Sequence, residues 1–338
     1  MSPLSGTPTG SRAGGGPGRR LGIRGGVLIV ALAILAAVLA LAIRGPSNPV
    51  PSSTVRPGSA VAAASPPGPV ESGPVAVLVG AGDIADCTAE HDARTAELVA
   101  GIAGTVFTAG DNAYEVGSPA EFRDCYGPTW GRFRERTRPA AGNHDFVTRG
   151  AGGYFGYFGP AAGRAPGGWY SYDAGAWHVI VLNSNCDAVG GCDVASAQGA
   201  WLAADLAAHP ARCTLAIWHH PRFSSGEHGG DPRADAFWRA LYAAGVDVVV
   251  NGHDHDYERF APQAPDGTAD LAGGIREFVV GTGGKELRAF RSSAPNSEVG
   301  DHRTYGVLVL TLRPTTYEWR FVGVPGSTFT DRGSGICH

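Results

Sequence analysis

The chain has 338 residues, 43% of them hydrophobic, which is enough to bury a sizeable core and admits one large or two small domains. Its formal net charge of −4 is unevenly spread: Arg12, Arg19, Arg20, Arg24 and Arg44 precede residue 45 with no acid among them, so the body is more acidic than the whole. An acidic body excludes a binder that grips a phosphate backbone through a basic surface, and no nucleic acid is expected as a structural partner. Lys285 is the only lysine beside abundant arginine; together with the Ala and Gly richness this reads as codon bias, and no function is drawn from it.

Residues 1–26 are rich in Gly, Pro, Ser and Arg and are expected to form a disordered n-region, left on the cytoplasmic side by its arginines. Residues 27–43 form an unbroken apolar run, short for a membrane span of ~20 residues and long for a signal core. It is therefore either a transmembrane anchor, which would make the membrane a partner, or a signal h-region cleaved near Ala40-Leu41-Ala42. Arg19-Arg20 matches a twin-arginine signal in that dipeptide alone, and no cysteine lies near the run to carry a lipid. A Pro/Ser-rich linker, residues 44–73, follows, and residues 74–338 form the globular domain. The chain beyond the run is thus expected to be extracellular or at the cell surface.

Export places Cys87, Cys125, Cys186, Cys192, Cys213 and Cys337 in an oxidising compartment. An even count there favours disulfides over thiolate metal sites, and without a Cys-x-x-Cys spacing structural zinc is disfavoured. Cys186 and Cys192 flank a short turn and are expected to pair; Cys87–Cys125 and Cys213–Cys337 then follow by elimination.

Within the domain, residues 75–79 form a strand-like run ending in Gly-Ala-Gly-Asp, and residues 89–102 read as a helix. Residues 105–108 repeat the strand pattern into Gly-Asp-Asn, residues 149–168 form a Gly-rich loop expected to overhang the site, and residues 169–183 make a hairpin turning at 173–176. An amphipathic helix at 198–209, a buried strand at 214–218, a helix at 232–244 and a buried strand at 246–250 come next. Residues 275–280 and 305–322 supply strands of a closing sheet. Strands alternating with helices predict a layered α/β domain.

Five short segments share one design, a β-run followed by a small residue and then Asp, Asn or His. They are Gly82-Asp83, Gly110-Asp111-Asn112-Ala113-Tyr114, Gly142-Asn143-His144-Asp145, Trp218-His219-His220-Pro221 and Gly252-His253-Asp254-His255. Loops at the carboxyl ends of strands in an open α/β sheet converge on one crevice. Such a crevice collects carboxylates, an amide and imidazoles, a donor set that suits iron, zinc or manganese. Two ions about 3.5–4 Å apart need a bridging carboxylate and roughly three more ligands each, and the inventory suffices for two. Each segment alone is compatible with a turn, a capped loop or a packed histidine; the five in this order, each after a predicted strand, weigh against a purely structural explanation.

The order Gly-Asp, Gly-Asp-x-x-Tyr, Gly-Asn-His-Asp, His, Gly-His-x-His resembles the calcineurin-like metallophosphoesterase superfamily. Ala85 stands where most relatives carry a histidine, Tyr114 stands three residues after Asp111, and the run from Gly252 to Arg259 is similar to that of the purple acid phosphatase-like branch. The resemblance covers about residues 75–285. It implies a layered α/β/β/α sandwich with the metal site at the carboxyl ends of its strands. It departs from the large plant enzymes, because too little ordered chain precedes Asp83 for their fibronectin-like domain, which leaves dimerisation through such a domain in doubt and the oligomeric state open.

Carried over residue by residue, the resemblance assigns Asp83, Tyr114 and His255 to a ferric iron, Asn143, His219 and His253 to a divalent ion (Fe, Zn or Mn), and Asp111 to both. Tyrosinate is a hard anionic donor suited to a trivalent ion, and neutral Asn and His donors suit a divalent one. His220 either lines the pocket or packs. The implied activity is hydrolysis of small phosphate monoesters by in-line attack of a metal-bound hydroxide. His144 would donate a proton to the leaving group or stabilise the phosphoryl group, Asp145 would orient its imidazole, and His228 would contact substrate unless it is an ordinary loop histidine. A phosphodiesterase or nucleotidase on the same fold, an inert metal-dependent binding protein and an oxidant-handling iron protein are the alternatives.

Overall fold

The computed structural model describes residues 73–338. The expected n-region, the apolar run and all but the last residue of the linker lie outside the described residues. Among those described, no helix is long and apolar enough to cross a membrane.

Two sheets form the frame. The first has six strands in the spatial order Arg332–Ile336, Thr316–Gly323, Gly306–Leu312, Ala76–Ala81, Thr105–Ala109 and Thr137–Ala140. Its last three strands run parallel and the rest pair antiparallel. The second has seven strands in the order Ser297–Asp301, Tyr257–Phe260, Arg276–Val280, Val248–Asn251, Cys213–Ile217, Trp177–Val181 and Tyr170–Ala174. Its centre is parallel and its flanks are antiparallel.

The alternation of side chains along the second sheet fixes the layering. Val179, Val181, Leu215, Ile217, Val248, Val250, Phe278 and Val280 share one buried cluster with Leu78, Val79, Leu308 and Leu310 of the first sheet. Their neighbours Ile180, Leu182, Ala216, Trp218 and Val249 point the other way, onto Leu202, Phe237, Trp238 and Leu241 of the helices Ala197–Ala208 and Asp235–Ala243. The first sheet is covered by the helix His91–Ala100 through Ala96 and Val99. Strands buried on both faces read as continuous Val/Ile/Leu runs, which is how the sequence shows them. The result is the expected α/β/β/α sandwich.

The predicted helix at 89–102 starts two residues later and ends two earlier, and the helix at 232–244 opens with a 3-10 turn at Pro232–Ala234. Ser196 caps the helix Ala197–Ala208 by accepting from Gly199 N, which explains its sharp start. The expected overhanging loop at 149–168 is a correction. Its first part is helical, through Arg149–Ala151, Gly152–Phe158 and Gly159–Ala162, and Tyr154 and Phe158 are buried in the main core. The Tyr154 hydroxyl donates to the Pro139 carbonyl at 2.8 Å, pinning this helix to the strand Thr137–Ala140. Four aromatic side chains within five residues give the stretch a face to bury, which its glycines obscure.

Three disulfides, Cys87–Cys125, Cys186–Cys192 and Cys213–Cys337, match the expected pairs. Cys213–Cys337 joins residues 124 apart and ties the carboxyl terminus to the start of a central strand. Closing so long a loop restricts the unfolded chain, so a Cys213→Ala/Cys337→Ala variant is expected to lose about 2–5 kcal/mol of stability. Denaturant midpoints of the two proteins measure this; equal midpoints would show that the bond adds nothing.

Candidate metal centre

The parallel strands of both sheets end on one side of the sandwich, and the two rims are bonded there. Gly82 N donates to Val280 O at 2.9 Å and Gly283 N to Gly82 O at 2.9 Å, so the strand that leads to Asp83 meets Arg276–Val280, an interior strand of the other sheet and not a neighbour of 306–323 as the expected closing sheet required. Into this seam the first sheet delivers Asp83, Asp111, Tyr114 and Asn143, and the second delivers His219, His253 and His255.

The backbone is bent to present them. Asp83, Asp111 and His253 have φ of 59°, 48° and 72°, in the left-handed region that non-glycine residues seldom occupy. Each such residue costs on the order of 1–3 kcal/mol, and strain of this kind collects at functional sites. Close approach also dictates glycine at two positions. A Cβ on Gly142 would lie 2.0 Å from Asp111 Oδ1, and one on Gly110, itself at φ 87°, would lie 2.4 Å from His219 Nδ1.

Two groups of donors form around Asp111. The Tyr114 hydroxyl lies 2.8 Å from Asp83 Oδ1, 3.0 Å from Asp111 Oδ2 and 3.4 Å from His255 Nε2. On the other side, His219 Nε2 lies 3.3 Å from Asp111 Oδ2, 2.9 Å from Asn143 Oδ1 and 3.2 Å from His253 Nδ1. Asp111 is thus common to both groups. The imidazoles are fixed from behind: the Nδ1–H of His219 donates to Ala109 O at 2.8 Å and that of His255 to Glu286 O at 2.8 Å. Both therefore turn Nε2 inward, the orientation that outer hydrogen bonds impose on metal-binding histidines. The seven donors fit a pair of metal ions in type and in mutual distance.

The electrostatics follow from two buried carboxylates. Asp83 and Asp111 are 0% and 1% exposed. Burial raises the pKa of Asp111, but the charge and hydrogen bond of His219 outweigh it and hold it well below the usual carboxylate range. Burial opposes the charged form of His219, whose pKa the same partnership pushes up to about 9. His255 is raised in the same way: burial lowers it, and the neighbouring Asp83 more than compensates. His253 moves down, through burial and then through the charge of His219. Burial and the two carboxylates push the Tyr114 phenol well above its ordinary value. A cation among these oxygens reverses that sense, because it favours the phenolate.

His144 sits at the rim. Its Nδ1–H donates to the Glu115 carbonyl at 2.6 Å, its ring lies 4.5 Å from that of Tyr114, and its Nε2 is 4.0 Å from Asp111 Oδ2. The expected orienting role of Asp145 is a correction. Asp145 is buried and accepts from Gly142 N at 2.9 Å and Asn112 Nδ2 at 2.8 Å, tying together the loops that carry Asn143 and Asp111. Burial, and then the charge of Asp111, pushes its pKa up to about 7. The Glu115 carbonyl, which no sequence pattern marks, holds the imidazole instead.

His228 is exposed, with its ring 4.5 Å from that of His253 and its Nε2 accepting from Arg288 at 3.1 Å. Asp254 positions it by accepting from His228 N at 2.7 Å, and it also bonds Ser224. His220 is buried beside His253 with its Nδ1 2.7 Å from Ser184 Oγ, and burial followed by the charge of His219 pulls its pKa down to about 3.

The model of the calcineurin-like phosphoesterase family matches residues 64–257. Purple acid phosphatase 18 of Arabidopsis thaliana is 31% identical over 147 residues, which is 41% of this chain and 32% of that protein. Purple acid phosphatase 22 of the same plant is 33% identical over 141 residues, 40% of this chain and 31% of that protein. The uncharacterized protein Rv2577 of Mycobacterium tuberculosis is 35% identical over 147 residues, 37% of this chain and 28% of that protein. The chain spans about a third of the length of the curated relatives it matches. Among solved structures, the purple acid phosphatase PPD1 from yellow lupin aligns with a TM-score of 0.59 at 18% identity, covering 77% of this chain and 53% of that one, a likeness of fold. With more than half of its length matched, the chain belongs to the calcineurin-like phosphoesterase family, on its purple acid phosphatase-like branch.

Proposed function

We propose that the protein is an exported phosphoesterase that hydrolyses phosphate monoesters at a binuclear centre. Asp83, Tyr114 and His255 would hold a ferric ion, Asn143, His219 and His253 a divalent ion, and Asp111 both. The observation that carries this is the position of Asp111, whose Oδ2 lies 3.0 Å from the Tyr114 hydroxyl and 3.3 Å from His219 Nε2 and so joins the two donor groups. Metals bound there neutralise a phosphate dianion and acidify bound water, which supplies the positive charge that this acidic chain lacks. The three disulfides favour the exported reading.

The chain's own groups divide the rest of the work. His144 is open to solvent on one side and is assigned no ligand role, so in its imidazolium form the Nε2–H would give its proton to the departing alkoxide while the Nδ1–H stays on the Glu115 carbonyl, leaving a neutral imidazole. Asp145 acts at one remove, by keeping Gly142 and Asn112 in place. His228 and Arg288 stand together at the mouth, where they would contact the ester. Release of p-nitrophenolate from its monoester in preference to its bis ester is the expected specificity; the reverse preference would assign the site to diesters.

Loss of Asp111 should be the most damaging single change. Asp111→Asn is expected to lower metal content and activity together, beyond the ~10–100-fold that removal of an outer-shell partner costs. An Asp111→Asn protein that keeps two metals per chain would rule out the bridge.

His144→Ala is expected to keep both metals and lose roughly 10²–10⁴-fold in kcat. The loss should be larger for an alkyl phosphate than for p-nitrophenyl phosphate, whose leaving group needs little protonation. Metal analysis and the two kcat values on one preparation check this. Equal losses with metals intact would place His144 on the phosphoryl group, and metal loss would make it a ligand.

A further inference from the structure

The stretch from Thr282 to Arg288 lies beyond the residues that match the family model, yet it is bonded to the tyrosine half of the centre at several points. Lys285 N donates to Asp83 O at 2.9 Å and Arg288 N to His255 O at 3.0 Å. The Glu286 carbonyl accepts Nδ1–H of His255 at 2.8 Å. This strap touches two of the three residues assigned to that half through its backbone, and it reaches the third through a side chain.

That side chain is Lys285. Its ammonium lies 4.8 Å from the centre of the Tyr114 ring, within the range of a cation–π contact. It donates to Asp86 Oδ2 at 2.8 Å, bonds Glu115 and lies 3.3 Å from Glu286 Oε2. The residue is only 7% exposed. Burial works against its charge, but the bonds to Asp86 and Glu115 outweigh that and keep it charged.

The choice of residue is informative too. Lys285 is the only lysine among 27 basic residues, so the chain uses arginine at every other basic position. A compact ammonium with three rotatable donors meets the carboxylates of Asp86, Glu115 and Glu286 beside the aromatic face.

We propose that Lys285 is a positioning residue for the tyrosine side of the centre: its ammonium, anchored by Asp86 and Glu115 against the Tyr114 ring, withdraws electron density from the tyrosinate and so raises the reduction potential of the ion that Tyr114 binds. It rests on the assignment of Tyr114 as an iron ligand. A positive charge beside the ring stabilises the electrons of the phenolate, so moving one of them onto a ferric ion takes more energy, and the ferric form is favoured less over the ferrous one.

The test uses the iron-loaded full chain and two substitutions of opposite sign. Lys285→Gln removes the positive charge and should move the visible tyrosinate-to-iron band to longer wavelength and lower the midpoint potential. Glu115→Gln removes a negative charge that offsets the ammonium, while its amide oxygen can still accept from Lys285 and Asp86 still holds the ammonium in place, so both should move the other way. The Glu115 side chain is 61% exposed, so its variant should fold even if Lys285→Gln does not. Shifts of opposite sign support the proposal, and so does the Glu115→Gln shift by itself where the lysine variant fails to fold. A wild-type band that neither variant moves, or that both move in one direction, overturns it and leaves the Tyr114 assignment standing. An iron-loaded wild-type protein with no such band overturns both.

Discussion

The structure turns on two carboxylates, Asp83 and Asp111, buried together within hydrogen-bonding distance of one tyrosine hydroxyl. Taking an ionised carboxylate out of water costs on the order of several kcal/mol even after the protein relaxes. Much of the local architecture answers that cost. His144 N donates to Asp111 Oδ1 and His253 N to Asp83 Oδ2, both at 2.8 Å, while His219 and His255 bring imidazoles to the remaining oxygens. The left-handed backbone at Asp83, Asp111 and His253 is a second cost paid in the same place. Metal cations between the oxygens would offset the cost of the buried charge.

The sandwich divides the donors by chemistry. The loops of the first sheet contribute the oxygen donors, the carboxylates of Asp83 and Asp111, the phenol of Tyr114 and the amide of Asn143. The second contributes only imidazoles, His219, His253 and His255. Neither sheet can build the centre alone, so the packing of Val179, Leu215 and Val250 against Leu78 and Leu308 is also what sets the distances across the site. The bond from Gly82 N to Val280 O locks the two rims where the donors meet.

The strand ends were readable in the sequence because each pairs a local signal with a chemical one. A buried parallel strand is a run of Val, Ile or Leu, and a small residue followed by Asp, Asn or His marks where it stops. What was not readable depends on contacts across the fold. Nothing in Asn143-His144-Asp145 says that Asp145 faces inward to Asn112 while a carbonyl from another loop takes His144. The helix Gly152–Phe158 hid among glycines because its stability comes from Tyr154 and Phe158 entering the core, not from helical propensity. Lys285 gave a signal of another kind, a lone lysine in an arginine-rich chain. Composition alone assigned it to codon bias, and only its place under Tyr114 gave it a role.

The central claim is that one crevice binds two ions that share Asp111. Anomalous diffraction from crystals of the purified protein, collected on either side of the iron edge, tests it most directly. The account predicts two anomalous peaks, an iron peak enclosed by Asp83, Asp111, Tyr114 and His255 and a second peak enclosed by Asp111, Asn143, His219 and His253. A single peak, or iron bound away from Tyr114, would contradict it.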